Sequence, residues 1–210
     1  MSDPESRIRV LMVDDHPLLR EGIAAVIGRQ LDMQLVGEAT NGREAVQRFR
    51  EHRPDVTLMD LQMPEMGGID AIAAIRAEFS GARIVVLTTY RGDAQALGAF
   101  RAGACGYLLK SMLRKELVET IRAVHAGRRR IPPEIAAELA EHVTDDALTA
   151  REVEILKCAA AGGANKAIAS QLGISEDTVK AHMKNVLSKL GANDRTHAVT
   201  IALKRGIIEL

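Results

Sequence analysis

A chain of 210 residues has room for one large domain or two ordinary ones, and 47% hydrophobic residues with six prolines describe a folded globular protein, not a disordered one. The first residues, Met-Ser-Asp-Pro-Glu-Ser-Arg, carry no apolar signal region, and no apolar run approaches the roughly 18 residues of a membrane span, so a soluble, cytoplasmic protein is expected. The net charge of zero is uneven: residues 1–126 carry 16 Lys+Arg against 17 Asp+Glu, residues 127–146 carry 3 against 5, and residues 147–210 carry 9 against 6, a basic module that weakly suggests nucleic acid.

In chain order, Ile8 to Val13 is an apolar run that ends on Asp14-Asp15-His16-Pro17. The proline and the spacing of Leu18, Leu19, Ile23, Val26 and Ile27 predict a helix with one apolar face. Met33–Ala39 reads as a second strand, Asn41-Gly42 as a turn, and Ala45, Val46 and Phe49 as a helix. Val56, Thr57, Leu58 and Met59 form a short buried strand of a parallel sheet, ending on Asp60. Pro64 cannot continue a central strand, so the chain turns there. A helix over 67–79, a strand Ile84–Leu87 ending on Thr88-Thr89, and a helix over 93–102 follow. Gly106–Leu109 is the fifth run and ends on Lys110, and a helix from Met112 to Ala126 closes this half.

Five strand–helix alternations predict a doubly wound parallel sheet. Right-handed crossovers then gather Asp14, Asp15, Asp60, Thr88 and Lys110 at one edge of it, where open α/β sheets place their ligand crevice. Three close carboxylates repel one another, and a hard divalent ion such as Mg²⁺ would relieve that repulsion. Lys110 and the Thr88 hydroxyl would offer donors to a transferred phosphoryl group, a reaction that needs little beyond positioning and charge compensation. The alternative is an acidic rim with a surface lysine and a strand-end threonine. Cys105 and Cys158 lack metal or disulfide spacing and are expected to be small buried hydrophobes.

Asp14-Asp15, Asp60-Leu61-Gln62-Met63-Pro64, Thr88 and Gly103-Ala104-Cys105-Gly106-Tyr107-Leu108-Leu109-Lys110 together resemble the receiver domain of two-component response regulators, over about residues 7–126. The resemblance implies a flavodoxin-like fold in which Asp60 accepts a phosphoryl group from a sensor histidine kinase. It implies that Asp15, Asp60 and the backbone carbonyl of Gln62 hold Mg²⁺, with Asp14 acting through water. Lys110 would pair with the phosphoryl oxygens, and Thr88 and Tyr107 would act as the switch, Tyr107 being otherwise a half-buried strand aromatic. Gln62 and Tyr90, two residues after the acceptor and the threonine, could overhang the phosphoryl group and slow its hydrolysis.

Gly127 to Pro133, with three arginines and adjacent prolines, marks a linker, and residues 134–142 have the spacing of a short helix, so residues 127–146 are taken as one connecting segment. From Leu148 the period is helical throughout. Thr149 with Glu152 is a capping box opening a helix that Gly162-Gly163 stops. Asn165–Leu172 and a helix capped by Ser175, with Val179, Met183, Val186, Leu187 and Leu190 on its apolar face, form a helix-turn-helix. Lys180, Ala181 and Lys184 face away from that stripe, which suits a major groove, although a solvated helix face is the plain alternative.

Leu148-Thr149-x-Arg151-Glu152, Asn165-Lys166-x-Ile168-Ala169, Ile174-Ser175-x-x-Thr178-Val179-Lys180-x-His182 and Lys189-Leu190-Gly191 resemble the LuxR-type DNA-binding domain over about residues 147–207, within a domain taken as 147–210. That resemblance implies contacts from Lys166, Thr178, Lys180, Ala181 and Lys184 to double-stranded DNA, and a dimer contact through Arg195, Val199 and Ala202 on the last helix. One departure is Ala164, where the family often has a polar cap. The two halves together resemble response regulators of the NarL/FixJ type: transcription factors and not enzymes, masked by the resting receiver and dimeric when phosphorylated. Two alternatives remain open, a DNA-binding regulator controlled by a ligand or partner instead of phosphate, and a haloacid dehalogenase-type phosphatase.

Overall fold

In a computed structural model the protein is described over residues 7–89, 93–131, 133, 136 and 148–208. Tyr90 and, apart from residue 136, the helix expected over 134–142 lie outside these residues. The chain divides into two compact units, one around a sheet and one around the last helices.

The first unit follows the apolar runs. Strands β1 (Ile8–Val13), β2 (Met33–Ala39), β3 (Val56–Asp60), β4 (Ile84–Thr88) and β5 (Gly106–Leu109) pair in parallel in the order β2-β1-β3-β4-β5. Helices α1 (Pro17–Gly28), α2 (Gly42–His52), α3 (Gly68–Glu78) and α4 (Asp93–Ala102) form the crossovers, and α5 (Leu113–His125) follows the last strand. Side chains alternate across each strand. Val10, Met12, Leu58, Val85, Leu87 and Leu108 pack with Ile23 and Ile27 of α1 and with Leu117 and Ile121 of α5. The other register, including Leu11, Met59 and Val86, is equally buried, as are Phe49 of α2 and Ile72 and Ile75 of α3. All five residues of β3 are buried, as a central strand covered on both faces requires.

Several local expectations change. Leu18 is 83% exposed, so the apolar stripe of α1 begins at Leu19. Asn41 is extended and its side-chain oxygen accepts from the Glu44 N–H at 2.9 Å, making it the cap of α2 and not part of a tight turn. Cys105 and Cys158 are half-buried, because each sits at the margin of its core. Tyr107 is wholly buried, with its ring centroid 6.1 Å from that of Phe100. The segment after α5 also does more than connect: the Arg130 N–H donates to the Cys105 carbonyl at 3.1 Å and the Tyr107 N–H to the Arg130 carbonyl at 2.8 Å, one parallel bridge on the outer edge of β5.

The second unit contains α6 (Ala150–Ala160), α7 (Asn165–Leu172), α8 (Glu176–Leu190) and α9 (Arg195–Lys204). Thr149 and Glu152 form the full capping box of α6. Gly173, with φ 64°, ends α7 in the left-handed conformation that glycine adopts without penalty. The Ile174 N–H donates back to Ala169, and Ser175 caps α8 through the Thr178 N–H. Ile155, Leu156, Ile168, Val179, Met183, Val186, Ala198 and Ala202 make the core.

Candidate functional site

Parallel strands put their carboxyl ends on one edge, and the register aligns Asp60 with Leu87 and Thr88 with Leu109. Asp14 follows β1, Asp60 closes β3, Thr88 closes β4 and Lys110 follows β5, so the edge at the β1/β3 switch point collects them. Lys110 Nζ lies 2.8 Å from Oδ2 of Asp14 and 2.8 Å from Oδ2 of Asp60. Asp14 and Thr88 are buried, and Asp60 is 2% exposed. Oxygens of Asp14, Asp15 and Asp60 and a ring nitrogen of His16 all lie within 4.8 Å of one another.

Burial is the main cause that raises the Asp60 pKa above the ordinary aspartate value. The hydrogen bond and charge of Lys110 oppose the rise, the Asp14 charge adds to it, and the Gln62 backbone N–H donates to the carboxylate and lowers it. For Lys110, burial acts to lower the pKa, but bonds to Asp14 and Asp60 outweigh it and the ammonium is held above its usual range. Three carboxylates against one ammonium leave the pocket short of positive charge. The buried Asp14 Oδ2 has the Lys110 ion pair but accepts no aligned hydrogen bond, and neither does Asp15 Oδ1. These oxygen donors fit a hard divalent cation.

The backbone beneath the acceptor depends on two close approaches. A Cβ on Gly68 would stand 2.0 Å from the Asp60 carbonyl oxygen, and the Gly68 N–H donates to the Leu61 carbonyl at 2.9 Å. A Cβ on Gly42 would stand 2.6 Å from the Met66 carbonyl oxygen, to which the Gly42 N–H donates at 3.0 Å. The loop after β3 is thereby pinned between α2 and the strand end. Gln62 is half-buried within this loop.

In the helical unit, Lys166, Lys180, Ala181 and Lys184 are exposed and Thr178 is half-buried. The Lys180 ammonium lies 3.2 Å from Asp177 and 3.5 Å from Glu176, and the Asp177 bond raises its pKa. Such exposed pairs are worth little, so a phosphate can displace them. On α9, Arg195 donates to Asn165 Oδ1 at 3.1 Å and to the Gly163 carbonyl, tying the start of α7 in place where Ala164 supplies no side-chain cap. Val199 is half-buried, but Ala202 is fully buried in its own core. Ala202 therefore offers no surface to a partner, contrary to its expected place in a dimer contact.

Sequence reasoning missed three contacts. Arg20 Nη1 donates to the Asp14 carbonyl at 2.8 Å. Arg151 Nη2 donates to the Leu172 carbonyl at 2.8 Å, capping α7 at its last turn. Glu152, 3% exposed, receives Lys189 Nζ at 2.8 Å across the unit. Only Arg151 and Glu152 stood in a recognisable motif; the partners 21 and 37 residues away left no periodic signal.

A switch-point acid cluster on a 2-1-3-4-5 parallel sheet, followed by a separate helix-turn-helix, defines a regulator that couples a chemical input to transcription. Residues 10–122 match the response regulator receiver domain, and residues 146–202 match the luxR family of bacterial regulatory proteins. The chain belongs to the two-component response regulators that act on transcription. It is 39% identical to the transcriptional regulatory protein LiaR of Bacillus subtilis, over 96% of this chain and 99% of LiaR, and 36% identical to the response regulator VraR of Staphylococcus aureus, over 96% and 99%. Among solved structures, the response regulator ChrA of a heme-sensing two-component system is 38% identical, covering 97% of this chain and 100% of its own, with a TM-score of 0.57. This membership removes the dehalogenase-type phosphatase alternative, whose nucleophile would follow the first strand and not the third.

Proposed function

We propose that Asp60 accepts a phosphoryl group from a sensor histidine kinase and that its phosphorylation controls dimerisation and binding to duplex DNA. The reading divides the chain into a receiver at 7–126, a connecting segment at 127–146 and a DNA-binding domain at 147–210. One Asp60 oxygen attacks the phosphorus of the kinase phosphohistidine; the P–N bond breaks and an acyl phosphate forms. Lys110 Nζ, already 2.8 Å from the acceptor carboxylate, is placed to meet a phosphoryl oxygen. Thr88 ends the neighbouring strand and Tyr107 fills the interior beside it, the two positions assigned to the switch. Asp14, Asp15, Asp60 and the Gln62 backbone carbonyl would hold Mg²⁺, which compensates charge on the transferred group.

Lys166, Thr178, Lys180, Ala181 and Lys184 supply the DNA-facing residues of the helix-turn-helix, and Arg195 and Val199 the dimer contact on α9. Among the described residues no helix is long and apolar enough to cross a membrane, which agrees with a cytoplasmic regulator. The observation that carries the proposal is the Lys110 ammonium shared between the buried carboxylates of Asp14 and Asp60. Incubation with acetyl phosphate and Mg²⁺ should add one phosphoryl group per chain and tighten binding to a selected duplex by tenfold or more. Asp60→Asn should abolish both effects. Tighter DNA binding by the wild type without labelling would instead favour control by a ligand or partner.

A further inference from the structure

His16 occupies the N-cap position of α1, where Ser, Thr, Asn or Asp would accept a helix N–H, and its side chain makes no capping bond. Two-thirds of that side chain is exposed, yet the ring turns onto the acidic pocket. His16 Nδ1 lies 2.7 Å from Asp15 Oδ1 and 3.1 Å from Asp14 Oδ1. Adjacent ligands of an octahedral ion with bonds of about 2.1 Å stand roughly 3 Å apart, and opposite ligands roughly 4.2 Å. The nitrogen and one oxygen from each of Asp14, Asp15 and Asp60 lie within 4.8 Å of one another, so a small inward shift would gather them around one ion. Asp14 Oδ2, fully buried, faces the Lys110 ammonium at 2.8 Å, and Asp15 Oδ1 faces the His16 ring nitrogen itself.

Resting on the metal reading above, we propose that His16 is a nitrogen ligand of this pocket and tunes it toward a first-row transition-metal ion such as Mn²⁺ over Mg²⁺. Mg²⁺ keeps oxygen ligands and dehydrates reluctantly, so it gains little from an imidazole. Mn²⁺ takes carboxylate ligands as Mg²⁺ does, but as a first-row transition ion it gains more from a nitrogen donor than Mg²⁺ does. The two-sided donor set widens the range of ions that can serve the acceptor.

The test uses the full-length protein stripped of metal, titrated separately with Mn²⁺ and Mg²⁺ by calorimetry, with pulsed EPR on the Mn²⁺ complex. The wild type should show ¹⁴N modulation from an imidazole, and His16→Ala should lose it. The same substitution should weaken Mn²⁺ binding about tenfold and Mg²⁺ binding by less than about twofold. His16→Asn, which restores a side-chain cap, should behave like His16→Ala toward the ions. Nitrogen modulation that is absent from the wild type, or that survives His16→Ala, overturns the assignment. Equal weakening of both ions overturns it as well. If Mg²⁺ binds and no nitrogen signal appears, only the role of His16 fails; if neither ion binds the wild type, the metal reading of the pocket fails with it.

Discussion

The two units each bury a carboxylate beside a lysine, and they treat it in opposite ways. In the helical unit, Glu152 receives the Lys189 ammonium at 2.8 Å. Burial acts to raise the Glu152 pKa, but Lys189 and the Thr149 backbone and hydroxyl outweigh it, so the carboxylate sits below its usual range. In the sheet unit, Lys110 is divided between Asp14 and Asp60 with Asp15 close by, and burial keeps Asp60 above its usual range. The first arrangement is closed and serves the packing of α6 against α8. The second is left unbalanced, as a pocket must be if added positive charge is to change its state.

The largest effect expected from breaking this contrast is at the closed pair. Lys189→Met leaves Glu152 buried without its cation and should cost the helical unit about 3 kcal/mol in denaturant unfolding. Glu152→Gln keeps a capping-box side chain and should cost about 1 kcal/mol. Equal losses for the two would mean that the cap and not the ion pair holds the helix.

A smaller loss is expected at the shared lysine. The raised Lys110 pKa means that its stabilisation is complete below the ordinary lysine value and disappears only as pH rises through the elevated one. Lys110→Met in EDTA at pH 7 should therefore cost about 2 kcal/mol, with most of it recovered by saturating Mg²⁺. A loss that Mg²⁺ leaves untouched would show that the lysine works through packing alone.

The smallest effect has the opposite sign. A raised Asp60 pKa contributes stability that is present below the ordinary aspartate value and lost as pH rises through the elevated one. Asp60→Asn in EDTA should then be more stable than the wild type by about 1 kcal/mol at pH 7, with the gain shrinking toward zero below about pH 4. A gain independent of pH would sever the link to charge.

How much of this was legible depends on the range of the interaction. The strands could be read because apolar runs such as Val56–Met59 need no partner to announce burial, and Asp60, Thr88 and Lys110 stand at run ends whatever the topology. The capping box at Thr149 and Glu152 is local and could be read for the same reason. Leu18 was misplaced because helical spacing assigns a face but not where its edge meets solvent. Asn41-Gly42 has turn composition, yet the glycine is required by the Met66 carbonyl 24 residues on, which composition does not encode. The Lys189 and Arg130 contacts likewise exist only once the chain has folded back on itself.

The Arg130 bridge has a bearing on how molecules of this protein can meet. A four-residue strand at the rim of a sheet exposes backbone groups that invite a strand from a neighbour. Here the chain's own continuation occupies part of that rim, satisfying the Cys105 carbonyl and the Tyr107 N–H. Two copies cannot zip together through those groups while the bridge stands, so association along this rim must use side-chain faces, which are reversible and can be retuned. A signalling protein gains from that restriction: it can pair and part on demand without drifting into open-ended strand addition.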